Sequence, residues 1–220
     1  DTCGYPKDSH FYYQAWWSER PILHVFPHWN WGGREGQEID VWAYGNSEAV
    51  ELFLNGESLG RKAMPRNGHV EWKVSYLPGV LSARGYRGGL VEVSVERETT
   101  GSPAALRLLP DRSTIRGDGE DVSMVRVEVI DDAGRVVPIA SNRVEFSVSG
   151  AGRLLGVGNG DPSCHESDKA PRRSAFNGLC MAIVQTDVAA GEIVILAEAE
   201  GLKPGRAVLE VLAGTPRPGL

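Results

Sequence analysis

Apolar and polar residues alternate along most of the chain, and this period of two predicts β-strands. In residues 38–44 (EIDVWAY) every second side chain is apolar, and residues 124–131 (MVRVEVID) repeat the pattern. Asn55 and Gly56 lie between two such stretches. An Asn-Gly pair there predicts a tight hairpin, because both turn residues need positive φ. The chain is therefore predicted to be mainly β.

The predicted strands form two series, separated by the polar stretch RETTGSP. Short strands with a turn about every 8–12 residues are typical of immunoglobulin-like sandwiches. The predicted fold class is all-β: two immunoglobulin-like antiparallel β-sandwich domains with a short N-terminal helix. The predicted parts are an N-terminal segment 1–21, a first sandwich 22–98, a linker 99–104, a second sandwich 105–213 and a tail 214–220.

The first residues of the chain depart from the strand pattern. Residues 8–17 (DSHFYYQAWW) predict a short helix, which Asp8 or Ser9 can cap by accepting hydrogen bonds from free backbone N–H groups. This helix is apolar on nearly all sides, and a helix of that kind has to be buried. We therefore expect it to need a partner surface, either the first sandwich or a second copy of the chain.

The charge of the chain argues against nucleic-acid and membrane partners. Its 220 residues carry a formal net charge of -6, and no basic face stands out. The nearest basic cluster, Lys169 with Arg172 and Arg173, is expected to be a solvated loop. No apolar stretch reaches the ~18 residues that suggest a membrane span. No signal peptide is recognised in the chain, although a longer parent protein could carry one. The sequence therefore leaves the cellular compartment unknown.

The cysteines and histidines indicate neither a metal site nor a nucleophile. Cys3, Cys164 and Cys180 lack metal-ligand spacing and are too few for a disulfide framework. Cys180 lies in an apolar run and is expected to be buried. The sequence does not decide whether Cys164 and Cys180 form a disulfide. His10 and His165 are most simply surface or loop-packing residues. We expect no catalytic residue, no metal and no cofactor in this chain.

One long irregular segment is predicted at residues 156–178, and segments of this length are often functional. Its Asn159, Asp161, Glu166 and Asp168 could offer oxygen ligands to Ca²⁺. Asx turns and surface solvation explain the same residues. A catalytic carboxylate pair is not expected on such a loop, because glycoside hydrolysis needs two carboxylates held in a rigid cleft.

Two tryptophans, Trp29 and Trp31, stand in the irregular stretch HVFPHWNWGG. Flat indole rings on a loop can stack against sugar rings, which makes them candidate carbohydrate contacts. Large aromatic side chains at the junction of a helix and a sandwich also serve to pack that junction. We favour packing, and carbohydrate contact remains the alternative.

Residues 1–17 (DTCGYPKDSHFYYQAWW) resemble the loop and last helix of the catalytic barrel in bacterial β-galactosidases of glycoside hydrolase family 2. The run HVFPHWNWGGREGQEIDVWAYGNSEAVELFLNGESLGRK is similar to the sandwich domain after the barrel, and GVGNGDPSCHESDKAPRRSAFNGLCMAIVQ to a further immunoglobulin-like domain. The resemblance implies that the N-terminal loop lies at the barrel rim, where Asp1 and Lys7 contact sugar or hold the loop. Alternatively, Lys7 and Asp8 pair or cap the helix.

The resemblance also implies a role for the chain. The family's two catalytic glutamates are borne on earlier barrel strands and have no counterpart here, so the chain alone should be an inactive accessory region. Its partner would be the missing upstream barrel, or a second copy of itself through the N-terminal aromatic helix. The parent would hydrolyse terminal β-galactosides in the periplasm or outside the cell. The alternatives are a carbohydrate-binding module that uses Trp29, Trp31 and Trp42 on an oligosaccharide, and a spacer pair of immunoglobulin-like domains.

Overall fold

The computed structural model describes residues 1–216, which form one helix and sixteen strands. The helix α1 spans Asp8–Trp17. The first strands are β1 (Leu23–Phe26), β2 (Glu38–Gly45), β3 (Ala49–Leu54), β4 (Glu57–Ala63), β5 (Val70–Ser75), β6 (Val80–Arg87) and β7 (Leu90–Glu98). They are followed by β8 (Ala105–Pro110), β9 (Thr114–Gly117), β10 (Val122–Ile130), β11 (Arg143–Gly150), β12 (Gly152–Gly158), β13 (Arg172–Ser174), β14 (Leu179–Thr186), β15 (Gly191–Glu198) and β16 (Gly205–Ala213).

The chain divides into two compact units. One unit is Pro6–Thr100, and the other joins Asp1–Tyr5 to the chain from Gly101 onward. The predicted N-terminal segment 1–21 is thus shared between the units, since its first five residues lie with the later strands. Part of the predicted tail, residues 217–220, lies outside the described residues.

The unit Pro6–Thr100 is a sandwich of two antiparallel sheets, ordered β1-β2-β5 and β4-β3-β6-β7. Its core is apolar because alternate side chains of each strand point inward, as in β5, where Val70, Trp72 and Val74 are buried and their neighbours are exposed. The predicted hairpin is confirmed: Asn55 (φ 51°) and Gly56 (φ 86°) connect β3 to β4.

The second unit contains sheets ordered β12-β14-β10-β8 and β13-β11-β15-β16-β9. All neighbouring strands are antiparallel except β9 and β16, which are parallel. The alternating residues Val125, Val127 and Val129 of β10 are fully buried. The all-β prediction with a single short helix is confirmed.

The prediction of one irregular segment at residues 156–178 is partly wrong. Strand β12 continues to Gly158, and Arg172–Ser174 form the short strand β13, which pairs with β11. Strand β4 could not be recognised by periodicity, because all seven of its residues are exposed and no face alternates. Strand β13 is only three residues long, which is too short for a period to show.

Candidate functional site

The N-terminal residues Asp1–Tyr5 form a turn that belongs to the second unit. Oδ1 of Asp1 accepts hydrogen bonds from the backbone N–H groups of Cys3 and Tyr5, both at 2.9 Å. The Tyr5 hydroxyl donates to the carbonyl of Cys180 at 2.7 Å, and burial raises the pKa of Tyr5. The Asp1 carboxylate also lies against Gly160, where an added Cβ would overlap its Oδ2. Asp1 is therefore engaged in holding its own loop.

Lys7 belongs to the other unit and is exposed. It is the N-cap residue of α1, but no side chain caps this helix. The expected cap by Asp8 or Ser9 is therefore wrong. Asp8 already lies inside the first turn, and its Oδ1 is 2.7 Å from Nε2 of His24 in β1. The carboxylate links the helix to the sandwich instead.

One side of α1 packs on the outer face of the sheet β1-β2-β5. The ring of Phe11 stacks on His24 with 3.9 Å between the ring centroids, and Tyr12 donates its hydroxyl hydrogen bond to the carbonyl of Asn67. The other side faces away, since Tyr13 is 52% exposed and Trp17 is 82% exposed. The expected docking of the helix on the first sandwich is observed, but burial on all sides is not.

The two loop tryptophans lie in packed positions. Trp29 is 1% exposed, and its indole N–H donates to the carbonyl of Leu77 at 3.0 Å. Trp31 is half-buried, stacks on His28 and lies beneath the guanidinium of Arg34. Because Trp29 shows no ring face to solvent, its predicted sugar contact is not supported by the geometry. Packing, the interpretation favoured from the sequence, is what Trp29 does.

The acidic residues of the 156–178 segment bind protein donors. Glu166 accepts hydrogen bonds from the backbone N–H and the hydroxyl of Ser174 at 2.8 and 2.7 Å, and the backbone bond lowers the pKa of Glu166. Asp161 accepts hydrogen bonds from the hydroxyl and the backbone N–H of Ser163. Residues 1–216 contain no group of three or more His, Cys, Asp or Glu that could hold a metal ion. These oxygens stabilise the loop, as the Asx-turn interpretation held.

Arg173 corrects the expectation of a solvated basic loop, because it is only 2% exposed. Its guanidinium forms an ion pair with Asp168 and donates to the carbonyl of Val157. Its Nη1 also lies 3.0 Å from Sγ of Cys164. Sequence alone could not separate Arg173 from its exposed neighbour Arg172, because the three-residue strand that buries one and exposes the other has no readable period.

The three cysteines are free thiols, and Cys164 and Cys180 therefore form no disulfide. Cys180 is fully buried, as expected, and burial raises its pKa to about 12. Cys3 is half-buried, and burial raises its pKa as well. A raised pKa keeps a thiol protonated near neutral pH, which argues against a nucleophilic role for Cys3 or Cys180.

A groove on the first sandwich contains Trp42, which the carbohydrate-binding alternative named, together with residues that were not predicted as a site. It is lined by Asp40, Trp42, Lys62, Glu71, Trp72 and Lys73. Trp42 is an aromatic residue in the outward-facing register of β2, between exposed Asp40 and half-buried Tyr44. The charged residues from other strands could not be placed beside it. Glu71 and Lys73 meet Trp42 through the pairing of β2 with β5, and Lys62 comes from β4 in the other sheet.

Seven carboxyl groups have a pKa that is shifted towards the charged form. Burial would by itself raise their pKa values, but hydrogen-bond donors and nearby cations outweigh it wherever a shift is resolved. The carboxyl groups whose pKa is lowered in this way are Glu51, Glu92, Asp118, Asp121, Asp131, Asp161 and Glu166. The acid of a glycosidase needs the opposite shift, a raised pKa.

Comparison with known proteins gives matches along nearly the whole chain. Residues 106–208 match the family model described as glycoside hydrolase family 2 C-terminal domain 5, and residues 36–92 match a domain of unknown function, DUF4982. The β-galactosidase BoGH2A of Bacteroides ovatus is 43% identical over 215 residues, covering 97% of this chain and 25% of that protein. A β-glucuronidase of Formosa agariphila is 29% identical over 221 residues, covering 96% of this chain and 22% of that protein.

A solved structure agrees with these sequence matches. The crystal structure of a β-glycosidase from Bacteroides vulgatus superposes with a TM-score of 0.91 at 33% identity, covering 96% of this chain and 27% of that one. The chain thus spans about a quarter of the length of the proteins it matches. Within the described residues, α1 is too short to cross a membrane and no other helix is present.

Proposed function

This chain belongs to glycoside hydrolase family 2, of whose proteins it represents a C-terminal region, and we propose that it serves there as a structural accessory to a catalytic barrel. The observation that carries the proposal is the two-sided helix α1. One side is fixed to the first sandwich by the Asp8–His24 contact, and the other leaves Tyr13 and Trp17 exposed with ring centroids 5.0 Å apart. Exposed aromatic patches of this kind mark interaction surfaces.

The proposed occupant of the exposed side is the upstream barrel, to which α1 would belong as its last helix. The sequence relatives are about four times longer than this chain, so a further domain is available in proteins of this type. A second copy of the chain is the other occupant the patch could accept. In that case the chain would self-associate, which light scattering would detect.

The parent enzyme is proposed to hydrolyse terminal β-galactosides, in line with the name of the 43% identical relative. A β-glucuronidase is also among the relatives, so β-glucuronides are the competing substrate class. The retaining mechanism needs a carboxylic acid of raised pKa and a second carboxylate about 5–5.5 Å away.

Asp1 is proposed to position the rim loop. Its carboxylate oxygen is already engaged by the N–H groups of Cys3 and Tyr5, which leaves it poorly suited to bind sugar directly. Lys7 is exposed and keeps its ammonium free to act as the sugar contact at the rim. In the extended enzyme, Lys7→Met is then expected to raise KM more than it lowers kcat, with Lys169→Met as the control.

The test compares the 220-residue chain with a version extended by its natural upstream sequence. The chain alone is expected to release no nitrophenol from aryl β-galactoside or aryl β-glucuronide, while the extended protein hydrolyses the β-galactoside. Acrylamide quenching of Trp17, isolated by difference against Trp17→Phe, should be strong in the short chain and weak in the long one. Turnover by the purified short chain, or equal quenching of Trp17 in both proteins, would contradict the proposal.

A further inference from the structure

The sheet β12-β14-β10-β8 of the second unit carries apolar side chains on both of its faces. Its core face includes Cys180, Ala182 and Val184 of β14, which are fully buried. Successive side chains of a strand point to opposite faces, so Met181 and Ile183 lie on the outer face. An antiparallel sheet that meets water is normally polar on its outer face, whereas a continuous apolar strand is typical of a sheet covered on both faces.

The loop Asp1–Tyr5 packs against one part of this outer face. Sγ of Cys3 lies only 2.8 Å from the position that a Cβ on Gly158 would take, so the glycine leaves room for the thiol. Gly158 is the cross-strand partner of Met181, which is 8% exposed. The hydrogen bond from the Tyr5 hydroxyl to the carbonyl of Cys180 fixes the end of the loop. This part of the apolar face is therefore already covered.

An open groove of about 510 Å³ lies next to this loop, within the same unit. Ile183 lines it together with its two cross-strand neighbours, Met124 of β10 and Gly156 of β12. Met124 is 47% exposed, although it lies between core residues of its strand. Because Gly156 has no side chain, the surface beside Ile183 is low. The apolar face thus continues beyond the loop as an uncovered groove.

A β-bulge adds Leu155 to the groove. The register of β12 against β14 shifts between Leu154 and Gly156, which makes Leu155 the extra residue. Leu154 packs against the core, whereas Leu155 lines the groove. Nζ of Lys169 donates to the carbonyl of Leu155 at 3.0 Å and holds the 156–178 segment over this side. Bulges re-aim side chains and are features of the fold rather than defects, so the apolar wall is a built element.

The chemistry of the groove favours apolar side chains as its occupant. Its charged lining residues are Asp168 and Lys169, and both are already engaged by this chain. Asp168 forms an ion pair with Arg173, and Lys169 donates to the carbonyl of Leu155. A charged ligand would have to replace these contacts, whereas apolar side chains gain free energy by removing the remaining apolar surface from water.

The position of Asp1 indicates which part of the protein covers the groove. The chain is a C-terminal region of a family 2 protein and spans 25% of a 43% identical relative, so most of such a protein precedes Asp1. Thr2, Cys3 and Gly4 line the groove, and the preceding chain therefore reaches the second unit at the groove itself. A tethered domain docks at an effective concentration in the millimolar range, which a second copy or a free ligand does not reach.

We propose that this groove is a second docking surface for the upstream domain, whose apolar side chains pack against Met124, Leu155 and Ile183. The inference rests on the accessory role proposed above and adds a contact that α1 does not make, because the groove is formed entirely by the second unit. Methionine suits such a surface, since its flexible thioether adapts to the shape of a partner. The second unit is then fixed to the upstream domain directly, and not only through the first sandwich.

The experiment measures how fast hydrogen peroxide oxidises Met124 in the unmodified 220-residue chain and in the version extended by its natural upstream sequence. Peptide mapping by mass spectrometry gives the rate at this residue, and free methionine in the same solution calibrates the peroxide. Oxidation of Met124 should be at least about tenfold slower in the extended protein, which corresponds to a groove covered about 90% of the time.

Met124→Cys and Leu212→Cys provide a matched pair of variants, because the two native side chains are 47% and 49% exposed in the same unit. Leu212 lies on β16, in the other sheet. In the short chain, maleimide should label both introduced thiols at similar rates. In the extended protein, labelling of the Met124→Cys variant at residue 124 should slow at least about tenfold, while labelling of the Leu212→Cys variant at residue 212 stays unchanged.

The oxidation of the unmodified proteins decides the proposal even if a variant fails to fold. Equal oxidation of Met124 in the short and extended proteins would overturn it, while the quenching of Trp17 decides the accessory role of α1 separately. Equal slowing of labelling in the Met124→Cys and Leu212→Cys variants would mean general occlusion and would also overturn it. Protection of Met124 in the short chain that increases with protein concentration would make a second copy the occupant, against the proposal.

Discussion

Asp8 and His24 connect the helix to the sandwich through a single short contact of 2.7 Å between Oδ1 and Nε2. The other ring nitrogen of His24, Nδ1, lies 3.2 Å from Nη2 of Arg97, and arginine can only donate. Nδ1 therefore accepts, and the ring proton on Nε2 is donated to Asp8. Because the ring of Phe11 also stacks on His24, this one histidine fixes both the position and the tilt of α1.

Asp8→Ala is expected to loosen the helix from the sheet. It removes the acceptor of a hydrogen bond from a buried imidazole, which should lower the free energy of unfolding by about 1 kcal/mol. Hydrogen exchange should become faster in residues 9–17 and stay unchanged in β14 of the other unit. Asp40→Ala is the matched control on the same sheet, and the loss of its exposed ion pair should have almost no effect on exchange. Equal exchange in the two variants would show that Asp8 does not anchor the helix.

Gly160→Ala is expected to displace the N-terminal loop. Gly160 has a φ of 74°, and an added Cβ would overlap the Asp1 carboxylate. Gly201 has the same φ of 74° but open space around the missing Cβ. Both Ala variants should lose about 1 kcal/mol through backbone strain. Only Gly160→Ala should also expose Cys3 to alkylation by iodoacetamide, and equal alkylation of Cys3 in both variants would refute the packing of Asp1 on this loop.

The sequence predicted the elements whose side chains alternate and missed those whose side chains do not. Helix α1 was predicted with its observed bounds, because ten residues rich in aromatic side chains between two turn-like stretches leave little choice. The burial of Arg173 and the pairing of Asp8 with His24 could not be predicted. Each depends on how a helix or a loop segment packs against distant strands, and a single sequence carries no information about that packing.

The candidate sites show the same division between local and long-range information. Trp29 and Trp31 were selected because aromatic residues in a loop are visible in the sequence, yet Trp29 is a core residue. Trp42 was named among the tryptophans, but its neighbour Lys62 was missed, because the two residues are 20 positions apart and lie on strands of different sheets. Periodicity indicates on which face of a strand a side chain lies, but it does not indicate which other residues contact that face.

Arg173→Met is expected to loosen the 156–178 segment. The substitution keeps the apolar length of the side chain but removes the ion pair with Asp168 and the hydrogen bond to the Val157 carbonyl. Asp168 is 82% exposed and can be solvated when its partner is removed. The free energy of unfolding should therefore fall by about 2 kcal/mol, which is less than the cost of breaking a fully buried ion pair. Arg172→Met is the control, since exposed Arg172 should change stability by less than about 0.5 kcal/mol. Urea denaturation of both variants measures the difference, and equal midpoints would contradict the role of Arg173.

Asp131 should make the stability of the second unit depend on acidic pH. Burial alone would raise its pKa, but hydrogen bonds from the Arg135 guanidinium and from the backbone N–H of Gly101 and Arg135 lower the pKa to about 2. A carboxyl whose pKa is lower in the folded state stabilises the fold above its unfolded pKa. That stabilisation, of about 2 kcal/mol, is lost as the pH falls from about 4 to about 2.

Asp131→Asn isolates this contribution, because the amide has nearly the same shape and does not titrate. The unfolding free energy of the variant should lie about 2 kcal/mol below that of the unmodified chain at pH 7, and the gap should close towards pH 2. Asp132→Asn is the matched control. The carboxylate of Asp132 is 84% exposed and lies 3.7 Å from Nζ of Lys203. A gap between Asp131→Asn and the unmodified chain that stays constant from pH 7 to pH 2 would mean that the Arg135 contact does not lower the pKa of Asp131.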